Sequence, residues 1–354
     1  MGYTTMLEKS IMQKGKSATT SSKMLENFIS PIDAFVVERL ESAGVVILGR
    51  ADMDEFGLCG LFGGGAGGVG DDVVCAIDSV INGKVDFALC NDYTGAVSRI
   101  AGEFGAYYIH PTYGTVSRYG LIPAVGSMDQ IGVICKSPKV GFEALRIIAG
   151  YDAKDGVMSP DGAARVIKEK SKSLDGSLQC IEFEDWIASN ARNDGGTDFS
   201  NIYTQLMQIL CCAELSTNIS RYDGIKFGHR SKEYNGLNEL YTKSRTEAFG
   251  EDVKLAAILG AMVLSQENYN RYYDKAMRLR RLIKDSLEFD KYDVIVTRCS
   301  VLSRLCGLPS LTTPEKVYIA DVGREDILES VLLDTKGDNI ATKGTSNATE
   351  GGGA

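Results

Sequence analysis

Histidine is almost missing from this chain: His110 and His229 are the only two among 354 residues. A metal centre built on histidine needs more than that, so neither a metal nor a cofactor is expected. Cysteine is present but not in pairs. The nine stand at positions 59, 75, 90, 135, 180, 211, 212, 299 and 306, an odd number with no C-x-x-C spacing. That usage argues against zinc ribbons and disulfide scaffolds and suits buried thiols in a reducing cytoplasm. No run of about 18 apolar residues occurs, so no membrane-spanning helix is expected, and the N-terminus lacks the apolar core of a signal peptide. Positive charge is in deficit, with 38 Lys and Arg against 47 Asp and Glu and a net charge of −9. Phosphate backbones bind basic faces, so direct nucleic-acid binding is not expected either.

What is there describes a globular protein: 44% of the residues are hydrophobic and 24% charged, enough to bury a sizeable core. The spacing of Phe35, Val36 and Leu40 predicts a helix over residues 33–42, opened by Ser30 as N-cap ahead of Pro31 and stopped at Gly44. Val45 to Gly49 follows as a wholly apolar strand, the signature of a parallel strand covered on both faces. Further helices are expected over 71–81, 139–150, 202–219 and 252–265, with Cys211 and Cys212 as core. A basic helix, mostly a solvated face, is expected over 271–288. Strands are expected at 85–89 and 292–296. Residues 1–22 are polar and aperiodic, which predicts a disordered or rearranged start. Residues 151–200, rich in Lys, Asp, Gly and Ser and holding Trp186 among acids, read as a variable insertion within a single domain of residues 1–335. Residues 336–354 read as a disordered tail.

The stretch that carries chemistry runs from Gly60 to Gly120. It opens on a glycine run from Gly63 to Gly70, passes through Asp92 Tyr93 Thr94 Gly95 Ala96 Val97 Ser98 Arg99, and closes on His110 Pro111 Thr112 Tyr113 Gly114 to Gly120. Each glycine costs about 0.5–1 kcal/mol relative to alanine inside a regular element, so such a run belongs to a loop, either a flexible turn or one whose backbone faces something closely. The lone His110 reads as a surface or packing residue.

These pieces, with Ser22 to Asn27, Met53 to Phe56, Ser216 to Gly224, Ser244 to Gly250 and Tyr292 to Ile295, resemble in sequence and order the amidase signature family, in particular its amidotransferase A-subunit branch. The resemblance implies an α/β fold with a central mixed sheet flanked by helices, here without some N-terminal and C-terminal elements. It implies amide hydrolysis by a serine nucleophile, a bridging serine and a lysine base, and in the A-subunit branch a glutaminase step that supplies ammonia for tRNA-dependent amidation.

Residue by residue, the catalytic positions depart from that pattern. The nucleophile lies fifteen residues ahead of the proline in Pro-Thr-Tyr-Gly, which here is Ala96. The bridging serine falls on Gly65, and the lysine on Glu8. An unactivated hydroxyl is a poor nucleophile and needs a relay to take its proton, so the resemblance implies a catalytically degenerate homologue. Ser98 and Lys9 are the neighbours able to substitute in a rewired site. The glycine loop and the following turn, through Gly64, Gly67, Thr94 and Gly95, offer a third reading as a binding module for an anion or carbonyl. On the substrate side, Met207 and Gln208 stand where the family has a tyrosine, and Leu255 and Ala256 where it has a carboxylate-gripping arginine. The partners implied are amidotransferase subunits of the B and C type, or a second copy of the chain.

Overall fold

The polar start of the chain is a strand. In the computed structural model, which describes residues 2–62, 71–158, 160, 178–183, 200–334 and 341–342, Thr4–Glu8 forms β1 and lies inside the sheet between two parallel neighbours. Of the expected disordered or rearranged start, disorder is therefore corrected. Thr5, Leu7 and Glu8 are all buried, because a strand flanked on both edges and covered on both faces accepts short polar residues whose backbone is fully paired.

The other strands among the described residues are β2 (Val46–Ala51), β3 (Phe87–Asn91), β4 (Tyr107–His110), β5 (Ile131–Cys135), β6 (Gln179–Glu182), β7 (Val294–Thr297), β8 (Ser310–Thr312), β9 (Val317–Ala320) and β10 (Ala341–Thr342). They form one mixed sheet in the order β10-β6-β7-β9-β8-β4-β5-β3-β1-β2. The helices are α1 (Phe35–Ser42), α2 (Asp71–Ile81), α3 (Ala96–Glu103), α4 (Pro138–Ile148), α5 (Ser200–Ile219), α6 (Gly236–Ala248), α7 (Glu251–Leu264), α8 (Lys275–Ser286), α9 (Val301–Cys306) and α10 (Glu325–Asp334).

The core divides by sheet face. On one face Leu7, Leu89 and Val133 pack with Val36 and Leu40 of α1, Leu145 of α4 and Leu328 of α10. On the other, Ala88, Tyr108 and Ile134 meet Ile77 of α2 and Ile100 of α3, while Ile295 and Ile319 meet Leu210 of α5 and Val253 of α7. Cys211 and Cys212 are buried in that last cluster, as their place in the helix predicts.

Several expectations need correction. β2 is parallel but is the outermost strand, so Val46 and Leu48 are about half exposed instead of covered. Ser30 does not cap α1. Its hydroxyl accepts from the Ile32 N–H in a local turn, and Ala34 holds the N-cap position without a side-chain bond. The segment read as an insertion contributes β6 to the sheet, parallel to β7, and Asp152 and Asp155 brace Ser117 and Arg118. Trp186 lies outside the described residues. The expected tail contributes β10, paired with β6. The basic helix starts with a π turn at Asn270–Asp274, and Arg280 points inward to bond Ser127 and the Leu305 carbonyl.

Candidate functional site

β3 ends at Asn91 and delivers Asp92 into the turn that starts α3. Gly95 sits at the bend with φ +81°, and a Cβ there would lie 2.4 Å from the Ser300 hydroxyl oxygen, so only glycine fits. Ala96 is the first residue of α3. Its N–H donates to Thr94 Oγ1 at 3.3 Å. The next two N–H groups, of Val97 and Ser98, donate to the Asp92 carboxylate at 3.1 and 2.9 Å. These helix-start donors, which a carbonyl or anion would otherwise use, are satisfied from within. Thr94 and Gly95 form a turn, and the N–H groups that follow it are committed within the protein.

Asp92 is held in turn by Arg304 of α9. The guanidinium Nη2 donates to Asp92 Oδ2 at 2.8 Å and to Ser98 Oγ at 3.0 Å, and Nε donates to the Asp92 carbonyl at 3.1 Å. Nη1 donates to Ser303 and Ser310 at 2.8 and 2.9 Å. Both side chains of the ion pair are 0% exposed. Ser98 is buried within this knot, 3.0 Å from the Gly95 carbonyl and 3.2 Å from Ser300 Oγ. Lys9 is elsewhere engaged, paired with Asp52. The structure therefore gives Ser98 and Lys9 different partners and joins them by no contact. Gly64, Gly65 and Gly67 lie outside the described residues.

Glu8 ends β1 and is buried. Its Oε2 accepts from the Asn91 N–H at 3.0 Å and from the Ser10 hydroxyl. Burial pushes its carboxyl up to about 7, assisted by the Asp92 charge and opposed by Ser10, Asn91 and Arg50. Beside it lies a cavity of about 20 Å³ whose lining includes Asp52, Asp54, Cys59, Cys90 and Val97, room for about one water. Burial, with Asp54 adding to it, pushes the Cys59 thiol up to about 12, so it is not a thiolate near neutral pH. Among the described lining residues none is serine, threonine or lysine.

His110 is a packing residue, 1% exposed and opposite Ser310 in the β4–β8 ladder. Burial, and then the Arg304 charge, hold its pKa well below the usual value, so it stays neutral. Gln208 donates to the Leu61 carbonyl at 2.8 Å, Met207 and Ala256 are buried and Leu255 is exposed. None of these supplies a cation for a carboxylate. Ser300, Ser303, Arg304 and Ser310 were not legible as a site in the sequence. One signal was available: Arg304 stands in the apolar context Val301 Leu302 Ser303 Arg304 Leu305 Cys306, where a charged residue needs a buried partner.

A mixed sheet with helices on both faces, and a glycine-turned helix start fed by its centre, define an amidase framework. The amidase family model matches residues 4–61 and 197–305, and together with sequence relatives above 30% identity it shows that the chain belongs to the amidase family. The A subunit of glutamyl-tRNA(Gln) amidotransferase from Lachnoclostridium phytofermentans is 34% identical over 363 residues, covering 91% of this chain and 72% of that protein. The same subunit from Legionella pneumophila (strain Corby) is 33% identical over 350 residues, covering 87% and 71%. Among solved structures, the A subunit of glutamyl-tRNA(Gln) amidotransferase from Thermotoga maritima superposes with a TM-score of 0.60 at 24% identity, over 93% of this chain and 81% of that one. The 6-aminohexanoate cyclic dimer hydrolase gives 0.66 at 16% identity, over 93% and 83%. These two share the fold.

Proposed function

We propose that this chain is a non-hydrolysing homologue of the amidotransferase A subunit, which keeps the framework and has given up amide cleavage. The observation that carries the reading is the head of α3: a methyl group, Ala96, occupies the position where the family's nucleophile is expected. Of the two hydroxyls equally near in sequence, Ser98 is locked under Arg304 and Ser300, and Thr94 Oγ1 accepts the Ala96 N–H. A carboxyl, Glu8, stands where the family's ammonium base is expected, and it cannot play the lysine's part toward a bridging serine that the sequence also replaces. A helix start without a nucleophile, its N–H groups already bonded to Thr94 and Asp92, leaves amide hydrolysis without its first step. A rewired Ser98 and Lys9 site is disfavoured by their separate partners, and a thiol nucleophile by the raised Cys59 pKa.

The role that remains for such a framework is assembly, in translation-linked Gln-tRNA(Gln) or Asn-tRNA(Asn) formation, through subunits of the B and C type. The test measures ammonia release from glutamine, asparagine and simple amides by the purified chain, alone and with Ser98→Ala. It also measures co-elution with separately expressed B and C subunits. Background ammonia with co-elution is expected. Turnover that vanishes in Ser98→Ala would overturn the reading of lost chemistry, and failure to co-elute would overturn the assembly role.

A further inference from the structure

Helix α7 is apolar on both sides. Val253, Ala256, Gly260 and Val263 are buried, with Gly260 lying close on α5. The opposite side carries Leu255, Ile258 and Met262 at positions i, i+3 and i+7, and these are 42%, 68% and 43% exposed. That spacing sets one stripe along a helix, and an apolar stripe left over once the core face is filled marks an interaction surface. Ile258 is more exposed than any other large hydrophobic among the described residues. The charges at the two ends of the stripe are ordered. Exposed Glu251 and Asp252 begin the helix, and half-buried Lys254 follows. Beyond its C-terminal end, the turn after α7 carries exposed Glu267, and the π turn that packs beside α7 carries exposed Arg271. Among the described residues none of these five makes an ion pair at contact distance. Lys254 and Asp252 act on Glu55 through their charge alone, and Arg271 lies over the Tyr272 ring.

Outward from the apolar centre, the order is base then acid toward the N-terminus, and acid then base toward the C-terminus. Reversed end to end, the pattern is its own complement. A two-fold axis beside Ala261 sets Ile258 against the partner's Met262, Lys254 toward the partner's Glu267 and Glu251 toward the partner's Arg271. A parallel pairing would set each of these charges against its own kind. We propose that α7 is a self-association surface, on which a second copy of this chain docks antiparallel across a two-fold axis. An isologous contact requires this self-complementarity, and rim charges that favour one register and oppose the others are what fixes it. One helix pair falls at the small end of specific interfaces, below about 1,200 Å², so the dimer is weak and forms in the micromolar range. The inference is independent of whether the chain hydrolyses amides or meets B- and C-type subunits.

Sedimentation equilibrium of the full chain from about 2 to about 200 µM tests it, a range that brackets a micromolar Kd. Wild type is expected to pass from one chain toward two. Ile258→Glu places a charge at the centre of the contact, at a position exposed enough to spare folding, and is expected to weaken association at least about tenfold. Arg271→Glu sets an acid against Glu251 and is expected to weaken it about threefold to tenfold. Glu251→Arg combined with Arg271→Glu exchanges the two charges and is expected to bring association back to within about twofold of wild type. That rescue reads the antiparallel register, because in another arrangement the second change meets no partner. Wild type that stays monomeric across the range, Ile258→Glu that associates like wild type, or an exchanged pair no stronger than Arg271→Glu alone would overturn the proposal. Monomeric wild type whose co-elution with a B-type subunit is lost in Ile258→Glu would overturn it too, by assigning the stripe to that subunit.

Discussion

Asp92 and Arg304 show what a single buried charge does in this chain. The carboxylate satisfies two helix-start N–H groups and is neutralised by a guanidinium with every described contact inside the protein. Breaking such a pair from one side leaves the other charge buried and uncompensated, which costs about 3–5 kcal/mol, whereas replacing both sides costs much less. Arg304→Met should therefore lose most of that amount in urea denaturation, and Arg304→Met with Asp92→Asn should recover part of it. Equal losses in the single and double variants would mean that the pair is not coupled. Glu8 gives a second residue-scale test. Its folded pKa, about 7, lies above the ordinary carboxyl value of 4.5, so between these values the folded state holds a proton that the unfolded chain releases. Stability from this group is full below about pH 4.5 and is lost as pH rises through 7. Wild type should lose on the order of 2–3 kcal/mol relative to Glu8→Gln across that window. Parallel pH profiles in thermal unfolding would refute the assignment.

Helix α7 rides so close on α5 that a Cβ at Gly260 would lie 2.1 Å from the Cys212 carbonyl and 2.4 Å from Ser216 Oγ. Helix propensity favours Gly260→Ala by about 1 kcal/mol, but a backbone carbonyl cannot step aside, and overpacking costs about 1–3 kcal/mol. Packing should win, and a lowered urea midpoint is expected; a raised one would show that the two helices part freely. At this scale the sequence was legible where periodicity is strong. The apolar spacings of α2 and α4 gave elements within two residues of their observed ends. It was misleading where tertiary context decides. β1 looks polar because its stability comes from two flanking strands, and β2 looks central because nothing in Val45 to Gly49 says that its outer edge is unpaired. In the site, the turn at Thr94 to Ala96 was readable from its motif. Arg304 was not connected to it, because 212 residues separate it from Asp92 and the two meet only through tertiary packing, with β4 and β5 lying between β3 and β8 in the sheet.

Charge governs what the whole molecule can meet. The net charge is −9, and several exposed cations of the helices are neutralised by near neighbours in sequence: Lys243 by Glu239, Arg278 by Asp274 and Arg281 by Asp285. Each such pair is worth little to stability, but it also spends a cation that a phosphate would need, and nucleic-acid affinity comes largely from counterions released by unpaired Lys and Arg. The chain alone is therefore expected to leave tRNA unshifted at micromolar protein in about 150 mM salt, with no linear fall of log affinity against log salt as salt is raised. Fluorescence anisotropy with labelled tRNA measures this directly. Micromolar binding with a steep salt slope would show that a basic surface has assembled from residues the helical pairs leave out, and it would move RNA contact from the partner subunits to this chain. Binding that appears only when a B-type partner is added would place the RNA on that partner and leave this chain the acidic, assembling half of the complex.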